Sequence, residues 1–226
     1  MGSAFLQVNF DLGSCRKQIY ELGQLLKKPQ LSEKLDILPF FRERNQLCAF
    51  IGTFAPDIGP APFIAREFSL LGDHCVDLIV ANRRNKEYLV VEFEDGRTNS
   101  IFRDVGRSKR DWSPRFEHGY SQLIDWFATL DDYKKTDKFR KEFGPGHITF
   151  SGMLIVGRSS GMSDDDQIRL DWRADKVIVD SHVISCLTFD DLHHILERRL
   201  RLYSAASKTR RQRVLPKRNG RDRSDK

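Results

Sequence analysis

Apolar residues recur along this chain with two distinct periods. Between residues 15 and 28, Ile19, Leu22, Leu25 and Leu26 fall at helical spacing. Ser32 is placed to cap a second helix carrying Leu35, Leu38 and Phe41, with Pro39 predicting a kink inside it. A Gly/Pro-rich loop at 57–62 separates these helices from three consecutive predicted strands at 63–70, 75–81 and 88–94. The polar segment 95–114 reads as a mobile loop. Tyr120, Leu123, Phe127 and Leu130 then mark a helix over 116–130, and a charged helix over 133–143 stops before Gly144-Pro145-Gly146. Residues 148–156 predict a core strand, 176–179 and 183–187 short strands. Thr188, with Asp191 at the capping-box position, opens a final helix to about residue 203. There is no internal repeat, and the order of elements predicts a mixed α/β sandwich.

Polar residues interrupt two of these strands where hydrocarbon is expected. Asp77 lies within Val76-Asp77-Leu78-Ile79-Val80, and Glu92 and Glu94 alternate with Val91 and Phe93. Successive strand side chains point to opposite faces, so Glu92 and Glu94 share one face. The polar link Asn82-Arg83-Arg84-Asn85-Lys86 suits a hairpin, which brings Asp77 toward both glutamates. Clustered carboxylates repel one another and resist desolvation unless a cation neutralises them. Hard oxygen donors suit Mg²⁺, with Mn²⁺ an alternative. The same alternation also fits an amphipathic strand that turns Glu92 and Glu94 to solvent.

At 226 residues with 39% hydrophobic positions and 16 Phe, the chain can build a sizeable core. No apolar run approaches the ~20 residues of a membrane span, and Met1 to Phe5 carries no basic segment leading an apolar one, so neither membrane nor secretion is expected. Cys15, Cys48, Cys75 and Cys186 are widely spaced, which predicts buried reduced thiols in a cytoplasmic protein. The net charge of +6 is concentrated: residues 207–226 hold nine Lys/Arg against Asp222 and Asp225, leaving 29 basic and 30 acidic groups in residues 1–206. The expected organisation is therefore one nuclease-like domain over 1–206, with a helical opening at 15–45 and a core at 62–206, and a basic, disordered tail at 207–226. Such a tail either solubilises the chain or adds salt-sensitive affinity for nucleic acid.

Asp77, fourteen further residues and then Glu92-Phe93-Glu94 resemble the core of PD-(D/E)xK nucleases. More specifically, Glu33 ahead of Ile37-Leu38-Pro39-Phe40-Phe41 and Arg44-Asn45-Gln46-Leu47 looks like the opening helix of the Shedu anti-phage immune nucleases. Ser121-Gln122-Leu123-Ile124-Asp125-Trp126, Met153 to Arg158, and Leu187-Thr188-Phe189-Asp190-Asp191-Leu192 are similar to later segments of that family, in the same order over roughly residues 30–200. The resemblance implies a restriction-endonuclease-like α/β core, a central mixed sheet flanked by helices, and metal-dependent cleavage of DNA, double-stranded DNA being the expected partner of a homo-oligomer. It assigns metal ligation to Asp77 and Glu92, with the Phe93 carbonyl a third ligand. It places Gln122 and Glu33 beside the site. Glu94 stands where the family carries a catalytic Lys, a departure that leaves a degenerate, non-catalytic nucleic-acid-binding or assembly module as an alternative.

Other motifs compete. Gly157-Arg158-Ser159-Ser160-Gly161 follows a predicted strand and matches the G-x-S-x-G of a serine hydrolase, with Asp180 and His182 or His193 as partners of Ser159. Against it stand the acidic residues 162–167, where a helix is required, and the absence of an oxyanion-hole motif upstream. Asp164-Asp165-Asp166 reads as a solvated loop or helix start, and His193-His194 has no metal-binding spacing.

Overall fold

The computed structural model describes residues 5–70, 75–179 and 182–214. A short strand β1 (Leu6–Gln7) leads into α1 (Leu12–Leu25), capped by Asp11, whose carboxylate accepts from the Ser14 amide. Ser32 then caps a π-helical turn, Glu33–Ile37, which runs straight into α2 (Leu38–Arg42). Pro39 sits in the first turn of α2, where its missing N–H costs nothing, so the expected kink becomes a change of helix type. The wider π turn rotates Leu35 out of the apolar stripe and leaves it 82% exposed. α3 (Asn45–Ile51) follows, then β2 (Phe63–Ser69), β3 (Cys75–Asn82) and β4 (Glu87–Phe93), the three consecutive strands the alternation predicts.

Segment 95–114 is not an open loop. It carries a two-stranded ribbon, β5 (Phe102–Arg103) against β6 (Asp111–Trp112), and buries Ile101 and Phe102. α4 (Pro114–Tyr133) and α5 (Asp137–Phe143) precede β7 (Thr149–Ile155). Beyond it lie α6 (Asp164–Lys176), β8 (Ile178–Val179), β9 (His182–Leu187) and α7 (Phe189–Val214). The acidic run Asp164 to Asp166 is the first turn of α6, closed by a capping box between Ser163 and Asp166. Thr188 accepts from the Asp191 amide as expected, but α7 continues to Val214, into the segment expected to be a disordered tail; residues 215–226 lie outside the described residues.

The strands form one mixed sheet in the order β1-β2-β3-β4-β7-β9-β8. β1 to β4 pair antiparallel in succession, β4, β7 and β9 run parallel, and β8 closes the edge antiparallel to β9. One face, including Leu78, Val80, Leu89, Val91, Phe93, Met153 and Ile155, packs against α1, α2, α3 and α7. The other, with Val76, Ile79, Tyr88, Val90, Phe150 and Leu154, packs beneath α4, α5 and α6. Covered on both faces, β4 is apolar from Tyr88 to Val91, as a strand buried on both sides requires. Cys15, Cys48 and Cys186 are buried free thiols, whereas Cys75, at the start of β3, is exposed. Among the described residues no helix is long and apolar enough to cross a membrane.

Candidate active site

The carboxylates singled out by the alternation collect where β4 leaves the sheet. Glu92 follows Tyr88 and Val90 onto the α4 face and is 5% exposed; Glu94, just beyond the strand, is 1% exposed. They are therefore not the solvent face of an amphipathic strand. Glu94 is still fixed by the sheet, its amide donating to the Ile155 carbonyl at 3.0 Å. Room for its side chain comes from Gly119 of α4, where a Cβ would stand 2.8 Å from Glu94 Cγ and 2.7 Å from Leu154 Cδ1. Arg115, Gly119 and Gln122 are spaced four and three residues apart, so α4 presents all three on one side.

Asp77 reaches the site through a break in the strand alternation. Val76 and Ile79 pack on the α4 face while Leu78 packs on the other, so β3 slips by one residue at Asp77. The partner strand slips with it at Glu67, which adopts a left-handed backbone (φ +46°) and pairs with Arg42. The β3–β4 ladder ends at Leu78 opposite Val91. In place of the next backbone acceptor, the Asp77 carboxylate accepts from the Phe93 amide at 2.9 Å. This tie brings the carboxyl groups of Asp77 and Glu92 within hydrogen-bonding reach of each other. Phe93 thus contributes an amide to the site, while its ring stacks on Phe41 on the opposite face.

Glu33 arrives from far away in sequence. Leu31 and Gly96 exchange backbone hydrogen bonds of 3.2 and 2.9 Å, joining the approach to the π turn to the chain just past Glu94. The Glu33 amide then donates to Asp95 Oδ1 at 2.9 Å. Between these acids lies the guanidinium of Arg115, 3.0 Å from Glu94, 3.4 Å from Glu33 and 3.7 Å from Asp95. Neither Asp95 nor Arg115 was among the candidates read from the sequence. Arg115 does carry a signal: it occupies the first turn of α4, behind the Ser113 cap and Pro114, where the helix dipole favours acids over cations. Nothing local identifies Asp95.

The electrostatics follow from burial. Desolvation raises the pKa of Glu92, and the neighbouring Asp77 charge raises it further. Desolvation also raises Asp77, opposed by the Phe93 amide. Glu94 is pushed up to about 7, again mainly by desolvation, with Arg115 pulling the other way. Two carboxyls in contact behave as one acid that holds a proton until a cation replaces it.

The donor set fits a hard divalent ion. Buried Glu92 Oε2, Glu94 Oε1 and Gln122 Oε1 have no hydrogen-bond partner, an expensive state for acceptors away from water. All are oxygens, the donors Mg²⁺ and Mn²⁺ select. Among the described residues no three acidic, His or Cys side chains already converge as a chelating group; Asp77 and Glu92 face each other, and Arg115 engages Glu94.

Ser159 is bound into structure. Its hydroxyl shares a 2.6 Å hydrogen bond with Thr188, which bonds Asp191 in turn. His193 packs against α1, within 2.8 Å of where a Gly23 Cβ would lie. Asp180 and the His182 side chain lie outside the described residues. Arg158 of the same motif ties α7 to the end of α1, bonding Asp190 and the Leu26 and Lys28 carbonyls. Asp166, the last acid of the Asp164-Asp165-Asp166 triplet, is buried against Arg110.

Comparison with curated proteins gave no match. A family model described as Shedu protein SduA, C-terminal, matches residues 30–193, a span that takes in Glu33, Asp77, Glu92, Glu94, Arg115, Gln122 and the closing Thr188 cap. That match covers well over half of the chain: the protein belongs to the Shedu SduA C-terminal family.

Proposed function

We propose that this protein is a metal-dependent endodeoxyribonuclease that hydrolyses phosphodiester bonds in DNA as part of anti-phage defence. Family membership supports the defence role. The observation that carries the chemistry is the meeting of Asp77 and Glu92 at the end of β4, with Glu92 Oε2 and Glu94 Oε1 buried and unpartnered. Asp77 and Glu92 would hold Mg²⁺ or Mn²⁺, with the Phe93 carbonyl as the third ligand. A bound divalent ion lowers the pKa of a water nucleophile and offsets charge on the phosphate.

The chain's own groups do the rest. The Phe93 amide fixes Asp77 Oδ2, holding the carboxylate beside Glu92. Glu94, with a pKa near 7, is matched to accept a proton from the attacking water at neutral pH, a role open to a carboxylate in the position where the family carries Lys. Gln122 offers an amide from α4 to orient water or a phosphate oxygen. Glu33 stands across Arg115 from Glu94 and sets the position of the guanidinium.

Plasmid integrity tests the reading. Supercoiled DNA should be nicked or linearised with Mg²⁺ or Mn²⁺, remain intact with EDTA, and remain intact with Glu92→Gln. Cleavage by Glu92→Gln at the wild-type rate would remove the site from the chemistry. A second reading, a non-catalytic nucleic-acid-binding or assembly module, rests on the lack of a converged three-ligand set among the described residues. It predicts DNA binding with an intact plasmid under every metal condition.

A further inference from the structure

Arg115 is built into the carboxylate cluster, yet three of its five N–H donors make no hydrogen bond among the described residues. A guanidinium has five N–H donors in a planar fork. Both Nη1 hydrogens face acids, Glu94 Oε2 at 3.0 Å and Glu33 Oε2 at 3.4 Å. Nε and Nη2 make no hydrogen bond among the described residues, Asp95 lying 3.7 Å from Nη2. The Glu94 carboxylate is buried, whereas the Arg115 side chain is 43% exposed. One edge is therefore anchored on Glu94 and Glu33, while the other, Nε and Nη2, makes no hydrogen bond among the described residues and only a 3.7 Å ion pair with Asp95. That edge is the one guanidinium groups use to grip phosphate through two parallel hydrogen bonds.

Its location argues the same way. A cation in the first turn opposes the helix dipole, and a single acid would be enough to satisfy it. Here Glu33, Glu94 and Asp95 come from two separate stretches of chain to surround it.

We infer that Arg115 is the phosphate-contacting cation of this site, presented from the first turn of α4. Glu94 and Glu33 hold its Nη1 edge so that the Nε/Nη2 edge meets a non-bridging oxygen pair of the DNA phosphate. This rests on the nuclease reading and adds to it a substrate-binding residue that touches no metal.

The test compares wild type, Arg115→Ala and Arg115→Lys on a short DNA duplex. With Mg²⁺, Arg115→Ala should lose about 100-fold in kcat, the scale of a lost transition-state charge donor. Arg115→Lys should recover only part of this, because an ammonium cannot fork, and millimolar guanidinium should restore activity to Arg115→Ala alone. Without metal, in EDTA, the slope of log affinity against log salt should become shallower by about 0.9 in Arg115→Ala, one phosphate contact's worth. Wild-type kcat and slope in a folded Arg115→Ala would overturn the inference. Should Arg115→Ala fail to fold, Arg115→Lys decides, since it keeps the charge beside Glu94; wild-type kcat there overturns it equally. A wild-type protein inert with every divalent ion defeats the nuclease reading, and the salt slope then settles the phosphate contact on its own: an unchanged slope overturns it and a shallower one supports it.

Discussion

Glu94 should make the metal-free protein less stable as the solution becomes less acidic, and Glu94→Gln should remove that dependence. Below pH 4.5, the ordinary value for Glu, the group is protonated in both folded and unfolded chains and costs nothing. Between 4.5 and about 7 the unfolded chain ionises while burial keeps the folded carboxyl protonated, so stability falls as pH rises, and above 7 the full cost is present. At about 1.36 kcal/mol per pH unit, the gap from 4.5 to about 7 amounts to about 3 kcal/mol. For a domain of this size that corresponds to roughly 6–12 °C in Tm. Glutamine keeps the shape beside Gly119 and a hydrogen-bond acceptor for Arg115 without ionising. Thermal melts in EDTA from pH 4 to 8.5 should therefore diverge, wild type falling further below Glu94→Gln as pH rises through this window. Titrating groups common to both proteins cancel in the difference. Mg²⁺ at pH 8 should then raise the wild-type Tm more than that of the variant, because binding offsets the repulsion. Superimposed difference curves across pH 4.5–7 would refute the claim that Glu94 is desolvated in the folded protein.

Three further outcomes are expected. Gly119→Ala should cost about 1–3 kcal/mol in denaturant unfolding, since its methyl would overlap Glu94 Cγ and Leu154 Cδ1; an unchanged midpoint would mean α4 does not press on Glu94. Asp77→Asn should abolish cleavage with little change in Tm, because its amide oxygen can still accept from Phe93, whereas Asp77→Ala should also lose about 1–3 kcal/mol by orphaning that amide; equal melts for the two would refute the tie. Ser159→Ala should leave plasmid cleavage at the wild-type rate and Ser159 should resist fluorophosphonate labelling, since its hydroxyl bonds Thr188; labelling lost in this variant would revive the serine-hydrolase reading.

Much of this was legible because it is local. Strand alternation locates β2, β3 and β4, and the polar link at 82–86 makes the hairpin that brings Asp77 to Glu92. Long-range placement was not legible. Arg115 meets Glu33 across 82 positions and Glu94 across 21, and no periodicity encodes such a meeting. Asp95 looked like the start of a loop, since nothing in its neighbours announces the Leu31–Gly96 bridge that orders it. α6 escaped notice because it is highly polar and buries only Asp166 and Leu170, so its capping box was the sole strong cue. The slip at Asp77 and Glu67 was equally hidden, being a property of two paired strands rather than of either one.

The central claim is that Asp77 and Glu92 hold a divalent ion at the end of β4. Diffraction from crystals soaked in Mn²⁺, with anomalous differences recorded for wild type and Glu92→Gln, tests it most directly. An anomalous peak bound by the Asp77 and Glu92 carboxylates should appear in the wild type and be missing from the variant. A wild-type map empty at that position under saturating Mn²⁺, or a peak unchanged by Glu92→Gln, would contradict it.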